Sequence, residues 1–231
     1  MSRRWQQVRH QLRRNRPAQF SLFVLFIFVV AALCAGLSPY DPDRMALGAR
    51  TLPPDAAHWF GTDEYGRDYF TRALYGGQIS LMVGFLAMLF STLIGTVVGT
   101  VSGYFGGWLD NLMMRAVDIL MAIPAFFLLL VVNAYLKPGV DNIILIISLL
   151  TWMNMSRLVR AETLSVKERE YVLYARASGE HPLRIIVRHI IPGVLPTIIV
   201  AATLNIASAI LMESTLSFLG LGVQAPAASW G

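Results

Sequence analysis

Long apolar runs separated by short polar segments dominate the chain. The runs cover about residues 20–37, 79–102, 116–136, 142–156 and 193–217. A bilayer core of about 30 Å is crossed by roughly 20 apolar residues in a helix. The pattern therefore predicts an all-α, polytopic membrane protein with five visible spans. The fourth run is short and depends on Trp152 and Met153 to reach the interface.

Basic residues lie beside these runs and orient the predicted spans. Six arginines and no acidic residue come before the first run: Arg3, Arg4, Arg9, Arg13, Arg14 and Arg16. Most of the remaining excess of the +5 net charge lies between Arg157 and Arg188. Basic clusters stay on the cytoplasmic side of membrane proteins, so we expect a cytoplasmic N-terminus. Counting spans then places the polar segments on two sides: 38–78 and 137–141 outside, 103–115 and 157–192 inside.

Composition argues against other classes of protein. Hydrophobic residues make up 55% of the 231 positions and charged residues 14%, whereas soluble domains have about 25% charged residues. Nucleic-acid binding is not expected, because no basic stretch alternates with stacking aromatic residues. Cys34 is the only cysteine, so it makes no intrachain disulfide and no metal site is built around it. The N-terminus resembles a signal peptide, but its apolar stretch is about as long as a span and further spans follow, which favours a retained helix.

Two parts of the chain differ in character. Residues 1–77 hold the basic N-terminus, the first span and most of an extracytoplasmic segment rich in the turn formers Pro, Asp and Gly. That segment is too short to be a folded domain of its own. Residues 78–231 form the predicted core membrane domain, with a cytoplasmic loop at about 157–192.

The second span carries a small residue at every fourth position. These residues are Ala87, Ser91, Gly95, Gly99 and Gly103. Residues four apart lie on one face of a helix, and small side chains on that face let another backbone approach closely. We expect this ridge to be a helix-packing surface, although the spacing does not identify the partner helix.

Polar residues within membrane spans are candidates for function. Asp118 follows Arg115 by three residues, which favours a structural pair on one helix face. Pro124 is expected to kink the third span. Asn205, near the middle of the fifth span, and Glu213, toward its outer end, are possible pore-lining residues, although an acidic residue placed like Glu213 is more often interfacial.

The loop 157–192 is too long to be a simple connection between two spans. A helix is predicted over Ser165–Gly179, with a break at Pro182 before Leu183–Ile191. Gly179 closes the predicted helix. Four residues share one face at helical spacing: Tyr171, Tyr174, Ala175 and Ser178. Such a helix can lie on the membrane or dock into a partner, and the small residues Ala175 and Gly179 favour docking.

This loop resembles the "EAA" coupling loop of bacterial ABC-importer permeases. The matching stretch is Glu170–Gly179 (EYVLYARASG) followed by Arg188–Pro192 (RHIIP). Ala175, Gly179 and Pro192 stand at the motif's spacing. Four positions depart from it: Leu173, Tyr174, His189 and Ile191. The resemblance implies an ATPase-coupling role for six residues: Tyr171, Tyr174, Ala175, Arg176, Ser178 and Gly179.

Three further segments extend the resemblance over nearly the whole chain. They are Phe60–Asp68 (FGTDEYGRD), Gly103–Asp110 (GYFGGWLD) and Leu216–Gly222 (LSFLGLG) with the final Ser229–Gly231 (SWG). Together they resemble the second, "C"-type permease subunit of the dipeptide, oligopeptide and nickel importers. Gly77 and Gln78 stand where that pattern leads us to expect alanine and arginine. The family normally has a sixth span after the Trp-Gly pair, so the chain is expected to lack a C-terminal span.

The resemblance implies a type I ABC importer transmembrane domain in a bacterial inner membrane. No Gly-rich loop ending in Gly-Lys-Ser/Thr is present to cradle phosphates. The chain is therefore expected to be a pore-forming subunit with no cofactor of its own. ATP and Mg²⁺ are expected on two cytoplasmic ATPase subunits. The other implied partners are a homologous second permease, an extracytoplasmic solute-binding protein and membrane lipid.

An ion-coupled secondary transporter is the alternative function. Such a protein needs titratable residues at mid-membrane, and the most central polar residue, Asn205, does not titrate. An enzyme within the membrane is not expected, since no mid-span acid pair or metal-ligand cluster is visible. Sequence leaves the cargo open among dipeptides, longer peptides and nickel chelates.

Overall fold

The computed structural model describes residues 15–124, 127–128, 131–132, 135 and 139–231. Its named helices are α1 Arg16–Leu33, α2 Tyr69–Phe105, α3 Gly107–Ala122, α4 Val140–Val166, α5 Glu170–Ala177, α6 Pro182–Ile185 and α7 Ile191–Phe218. Short 3₁₀ turns cover Cys34–Leu37 and Leu47–Ala49, and a π-helical turn covers Ile186–Ile190. The prediction of an all-α fold is confirmed.

Four stretches among the described residues are long and apolar enough to cross a membrane. They are Arg16–Leu37, Tyr69–Phe105, Val140–Val166 and Pro182–Phe218, and they contain the first, second, fourth and fifth predicted spans. The third predicted span, 116–136, lies partly outside the described residues. Its described beginning is the last part of α3, which ends at Ala122 shortly before Pro124.

Contacts between Cα atoms divide the chain into two units. The first comprises the described residues up to Leu81 together with Ala225–Trp230. The second comprises Met82–Gln224 and Gly231. Each unit has its own internal packing.

In the first unit, the segment between α1 and α2 is folded around two aspartates. Asp63 accepts hydrogen bonds from the backbone N–H groups of Tyr65 and Arg67 and from Nε of Arg67. Asp68 caps α2 by accepting from the N–H and hydroxyl of Thr71. Burial raises the pKa of Asp68, but the bonds from Thr71 and His58 outweigh it and hold the pKa below its ordinary value.

Gly77 and Gln78 both make contacts within this unit. A Cβ atom on Gly77 would lie 2.8 Å from the Trp230 indole ring, whose Nε1 donates to the Ala73 carbonyl at 3.0 Å. Gln78 donates from Nε2 to the Ala32 carbonyl of α1 at 2.7 Å. At the two positions that depart from the family pattern, Gly77 therefore leaves room for the Trp230 ring, and Gln78 joins α2 to α1 by a hydrogen bond.

In the second unit, the small-residue ridge of α2 packs against α4. All five ridge residues are buried. Successive glycines meet successive turns of α4: Gly95 meets Trp152 and Met155, Gly99 meets Ser156 and Val159, and Gly103 meets Arg160 and Thr163. An added Cβ would lie within 3.0 Å of α4 at each glycine. The partner helix that the spacing could not identify is α4.

The direction of these contacts constrains the topology. Residue numbers rise together along α2 and α4, so the two helices run in the same direction. Phe105, the last residue of α2, and Val140, the first residue of α4, therefore lie at opposite ends of the pair. Helix α7 runs antiparallel to this pair. Its first turn, at Gly193, contacts Val166 at the end of α4, whereas Ile206 and Ile210, later in α7, contact Gly84, which comes before the glycine ridge in α2.

One predicted ion pair is wrong. Asp118 of α3 pairs with Arg157 of α4 and not with Arg115 of its own helix. The sequence spacing identified a geometrically possible neighbour, but tertiary packing brings the arginine of another helix closer. Both paired side chains are about half exposed, at 47% for Arg157 and 49% for Asp118.

Candidate functional site

The segment that joins α4 to α7 is a set of short helices and not one long one. Helix α4 continues to Val166, and Arg169 has an extended backbone (φ −73°, ψ 143°) before α5 begins at Glu170. The predicted single helix Ser165–Gly179 is therefore wrong between Val166 and Glu170. The break sets the direction of α5 independently of the α4 axis.

Gly179 ends α5 in a Schellman motif. Its N–H donates to the Arg176 carbonyl at 3.0 Å, and the Glu180 N–H donates to the Ala175 carbonyl at 3.1 Å. Gly179 has φ +77°, the left-handed region that glycine adopts without strain. No heavy atom of the rest of the chain lies within 4 Å of the position a Cβ would occupy. A side chain at this position would point into open space.

Helix α5 has one buried and one exposed face. Val172 and Ala175 are buried in a hydrophobic cluster with residues of α2, α4, α6, the π-helical turn and α7. Tyr171, Tyr174 and Ser178 are exposed, Tyr174 by 75%. Ala175 is 6% exposed, and its small side chain lets α5 approach the chain's own core. Its proposed part in coupling stays a prediction.

A groove runs beside this exposed face. It is lined by Glu170, Tyr171, Tyr174, Ala175, Ser178, Glu180 and His189. Across the groove, Nε2 of His189 lies 2.9 Å from Oε2 of Glu180, and the rings of His189 and Tyr171 are 6.4 Å apart. The rings of Tyr171 and Tyr174 lie at the surface, which suits contact with another protein because aromatic residues are enriched at interfaces.

The chain continues from the groove into α6 and the π-helical turn. Pro182 occupies the first turn of α6, where its missing N–H costs nothing. Leu183 and Val187 point outward, with exposures of 60% and 65%. Ile186 and Ile190 are buried in the same core as α5. The predicted break at Pro182 agrees with a helix beginning there, whereas the π-helical turn had no recognisable signal in the sequence.

Two charged residues to which sequence reasoning assigned no role lie close to this loop. Arg160 of α4 binds Asp110 of α3 through both nitrogens, Nε to Oδ1 at 2.5 Å and Nη2 to Oδ2 at 2.6 Å. The Ser102 hydroxyl also donates to Asp110. The Arg160 guanidinium holds the pKa of Asp110 below its ordinary value, although burial opposes this. The signal that could have found Asp110 is its position just after the paired glycines of GYFGGWLD.

The two proposed pore residues have different surroundings. Glu213 is fully buried within the chain and accepts a hydrogen bond from the Ser217 hydroxyl at 2.7 Å. Its burial within its own chain does not favour a pore-lining position, and its role stays a prediction. Asn205 is half-buried on α7, and its role stays a prediction.

Two family models match the chain. The model described as "Binding-protein-dependent transport system inner membrane component" matches residues 91–231. The model described as "N-terminal TM domain of oligopeptide transport permease C" matches residues 3–54. The first match includes the ridge of α2 from Ser91 onward and the Asp110–Arg160 pair. It also includes all of the segment 167–190 between α4 and α7, which is called the α5 loop below.

Curated relatives agree with these matches. The dipeptide transport system permease protein DppC of Bacillus subtilis (strain 168) is 44% identical over 96% of this chain and 69% of its own length. The oligopeptide transport system permease protein OppC of Escherichia coli (strain K12) is 43% identical over 98% of this chain and 76% of its own length. A putative peptide permease protein of Brucella suis biovar 1 (strain 1330) is 42% identical over 94% and 72%. These relatives give no support to an ion-coupled secondary transporter.

Proposed function

Because this chain belongs to the family of inner membrane components of binding-protein-dependent transport systems, we propose that it forms one half of the translocation path of a peptide importer and couples to an ATPase through α5. The chain is a multi-pass permease subunit of an ABC importer. The cargo, the partners and the coupling residues are the proposed parts.

The two faces of α5 carry the proposal. Its inner face is buried in a core shared with α4 and α7, so a displacement of α5 acts directly on two spans. Its outer face leaves Tyr171, Leu173 and Tyr174 exposed. Apolar surface left in water costs roughly 25 cal/mol per Å², so a partner surface that covers this face is favoured.

The proposed docking face combines α5 with the neighbouring turns. It consists of Tyr171, Tyr174, Arg176, Ser178 and Gly179 with Leu183 and Val187. Ala175 supports this face from beneath as part of the core. We infer that a groove on a cytoplasmic ATPase receives the face, since the chain's own sequence has no phosphate-binding loop. Two ATPases, a second homologous permease and an extracytoplasmic solute-binding protein complete the proposed importer.

Peptide cargo is proposed from the relatives. Their names describe dipeptide, oligopeptide and peptide transport. The identities of 42–44% extend over 94–98% of this chain. We therefore propose short peptides as the transported solutes, delivered by the binding protein.

The proposed orientation places the N-terminus and the α5 loop in the cytoplasm. Parallel α2 and α4 put residues 103–107 at the same end of the pair as the α5 loop, in agreement with the count of spans. The domain proposal also follows this orientation: residues 1–77 contain the N-terminus, α1 and most of the outer segment, and 78–231 form the core permease with the coupling loop at 157–192.

Cysteine labelling tests this topology. In a Cys34→Ala background, a thiol-reactive reagent that does not cross membranes is expected to label Gly48→Cys and Asp55→Cys in intact cells. Both positions are exposed. Ser178→Cys, which is exposed on the opposite proposed side, is the matched control and should react only after the membrane is opened. Labelling of Ser178→Cys in intact cells, or of Gly48→Cys only after lysis, would reverse the orientation. Thr62, at 3% exposure, is unsuitable for labelling.

Reconstitution tests the function itself. The chain is co-expressed with a second permease, the ATPases and a binding protein, and the purified complex is placed in vesicles. Uptake of a labelled peptide is expected to require ATP on the side of the membrane that carries the ATPases and the binding protein on the other side. Uptake that follows an imposed proton or sodium gradient without ATP would contradict an ATP-driven importer.

A further inference from the structure

We infer that Asp110 is a positioning residue: its bidentate bond to Arg160 makes the loop ends of α2, α3 and α4 move together when α5 is displaced. This inference rests on the proposed function of α5. It assigns to the GYFGGWLD segment a role in coupling ATP hydrolysis to transport that is separate from ATPase docking.

Asp110 lies at the corner between α2 and α3. Gly106 and Gly107 both have positive φ, at 65° and 59°, so the chain turns sharply through two residues without side chains. Glycine leaves the backbone with more freedom than any other residue. Asp110 follows in the first turn of α3 and binds back to Ser102 of α2. Its side chain is 11% exposed, so water competes little for these bonds.

The bond to Arg160 connects this corner to α4. A guanidinium that binds one carboxylate through two parallel N–H···O bonds fixes orientation as well as distance. Lys167, just after α4, donates from Nζ to the Gly103 carbonyl at 3.1 Å. The end of α2 is therefore held to the end of α4 by two charged side chains, in addition to the contacts of the glycine ridge.

The same corner also contacts α5. The guanidinium carbon of Arg176 lies 5.3 Å from the centroid of the Tyr104 ring, and Tyr104 shares its hydrophobic cluster with Val172 and Ala175. Packed interiors transmit displacements because they contain few voids. A movement of α5 thus reaches α2 at Tyr104, and the Asp110–Arg160 bond passes it to α3 and α4.

The test compares two isosteric substitutions in the full complex of permeases, ATPases and binding protein. Asp110→Asn keeps the size of the side chain but removes the charge that binds Arg160. Asp118→Asn removes the carboxylate of the exposed Asp118–Arg157 pair between the same two helices and is the matched control. The measurements are co-purification of the ATPases, the rate of ATP hydrolysis with loaded binding protein, and the number of solute molecules taken up per ATP hydrolysed.

Asp110→Asn is expected to leave ATPase co-purification unchanged and to lower uptake per ATP by about fivefold or more, a typical lower bound for coupling between sites. Asp118→Asn is expected to keep the wild-type ratio. Arg160→Lys keeps the charge but loses the two-pronged bond, so its ratio should lie between the two. An unchanged ratio in Asp110→Asn, or an equal fall in both aspartate variants, overturns the inference.

Two further outcomes are decisive. If Asp110→Asn fails to assemble, Arg160→Lys replaces it: a lowered ratio in an assembled complex supports the inference, and a wild-type ratio overturns it. A wild-type complex that takes up solute without ATP, or a wild-type chain that binds no ATPase, overturns the proposed function itself. If only the inference about Asp110 fails, the wild-type complex still binds its ATPases and still couples ATP hydrolysis to uptake.

Discussion

Gly179→Asp is expected to abolish ATP-driven uptake by preventing the ATPase from seating against α5, while the chain still inserts normally into the membrane. The structure leaves open space at this position, with no heavy atom of the rest of the chain within 4 Å of the added Cβ. The aspartate would therefore extend into the proposed interface, where an unpaired carboxylate costs several kcal/mol. Since about 1.4 kcal/mol corresponds to a tenfold change, we expect ATPase affinity to fall by about a hundredfold or more.

Two matched variants separate the possible causes of this effect. Gly179→Asn has nearly the same size and also tolerates the left-handed backbone, but it carries no charge, so an intermediate loss of affinity is expected. Gly48→Asp introduces the same residue where a Cβ also meets no other atom, and it should bind ATPase normally. Affinity is measured by titrating purified ATPase onto the permease pair in nanodiscs. If Gly179→Asp binds ATPase with wild-type affinity, the α5 loop is a solvated connector and the docking assignment is wrong.

Gly99→Val is expected to separate α2 from α4 and to lower the stability of the permease strongly. A Cβ at Gly99 would already lie 2.5 Å from the Ser156 carbonyl oxygen and 2.9 Å from the Arg160 backbone nitrogen. Both atoms belong to backbone, which cannot move aside as a side chain can. Overpacking of this kind costs typically about 1–3 kcal/mol, and the two additional methyl groups of valine place it at the upper end.

The measurement for this ridge is the thermal unfolding midpoint of the purified chain in detergent, together with the amount of folded protein recovered from membranes. Gly99→Ala should lower the midpoint and Gly99→Val should lower it further, in spite of the gain in helix propensity that alanine brings. Gly36→Ala is the control, because its added Cβ meets no atom within 4 Å. Equal midpoints for Gly99→Ala and Gly36→Ala would contradict close packing of the ridge.

How far the sequence leads depends on whether a feature is local. The apolar runs predicted all four stretches that, among the described residues, are long enough to span a membrane. A helix in lipid is recognised by its length and hydropathy alone. The left-handed cap at Gly179 followed from a glycine at the end of a helical pattern. The ridge from Ala87 to Gly103 also followed from spacing, because one helix determines its own faces.

Contacts between elements were decided only by tertiary structure. Asp118 pairs with Arg157 on another helix, Ala175 faces the core, and Glu213 is buried, because packing selects one neighbour among several that the spacing allows. The break at Lys167–Arg169 interrupts residues whose local pattern favours a helix, since α5 has to turn to bury Val172 and Ala175. The bond between Asp110 and Arg160 joins residues 50 positions apart, a separation at which periodicity carries no information. The sequence by itself thus determined four of the spans, the cap at Gly179 and the small-residue face of α2, whereas only the tertiary structure decided which faces and charges meet.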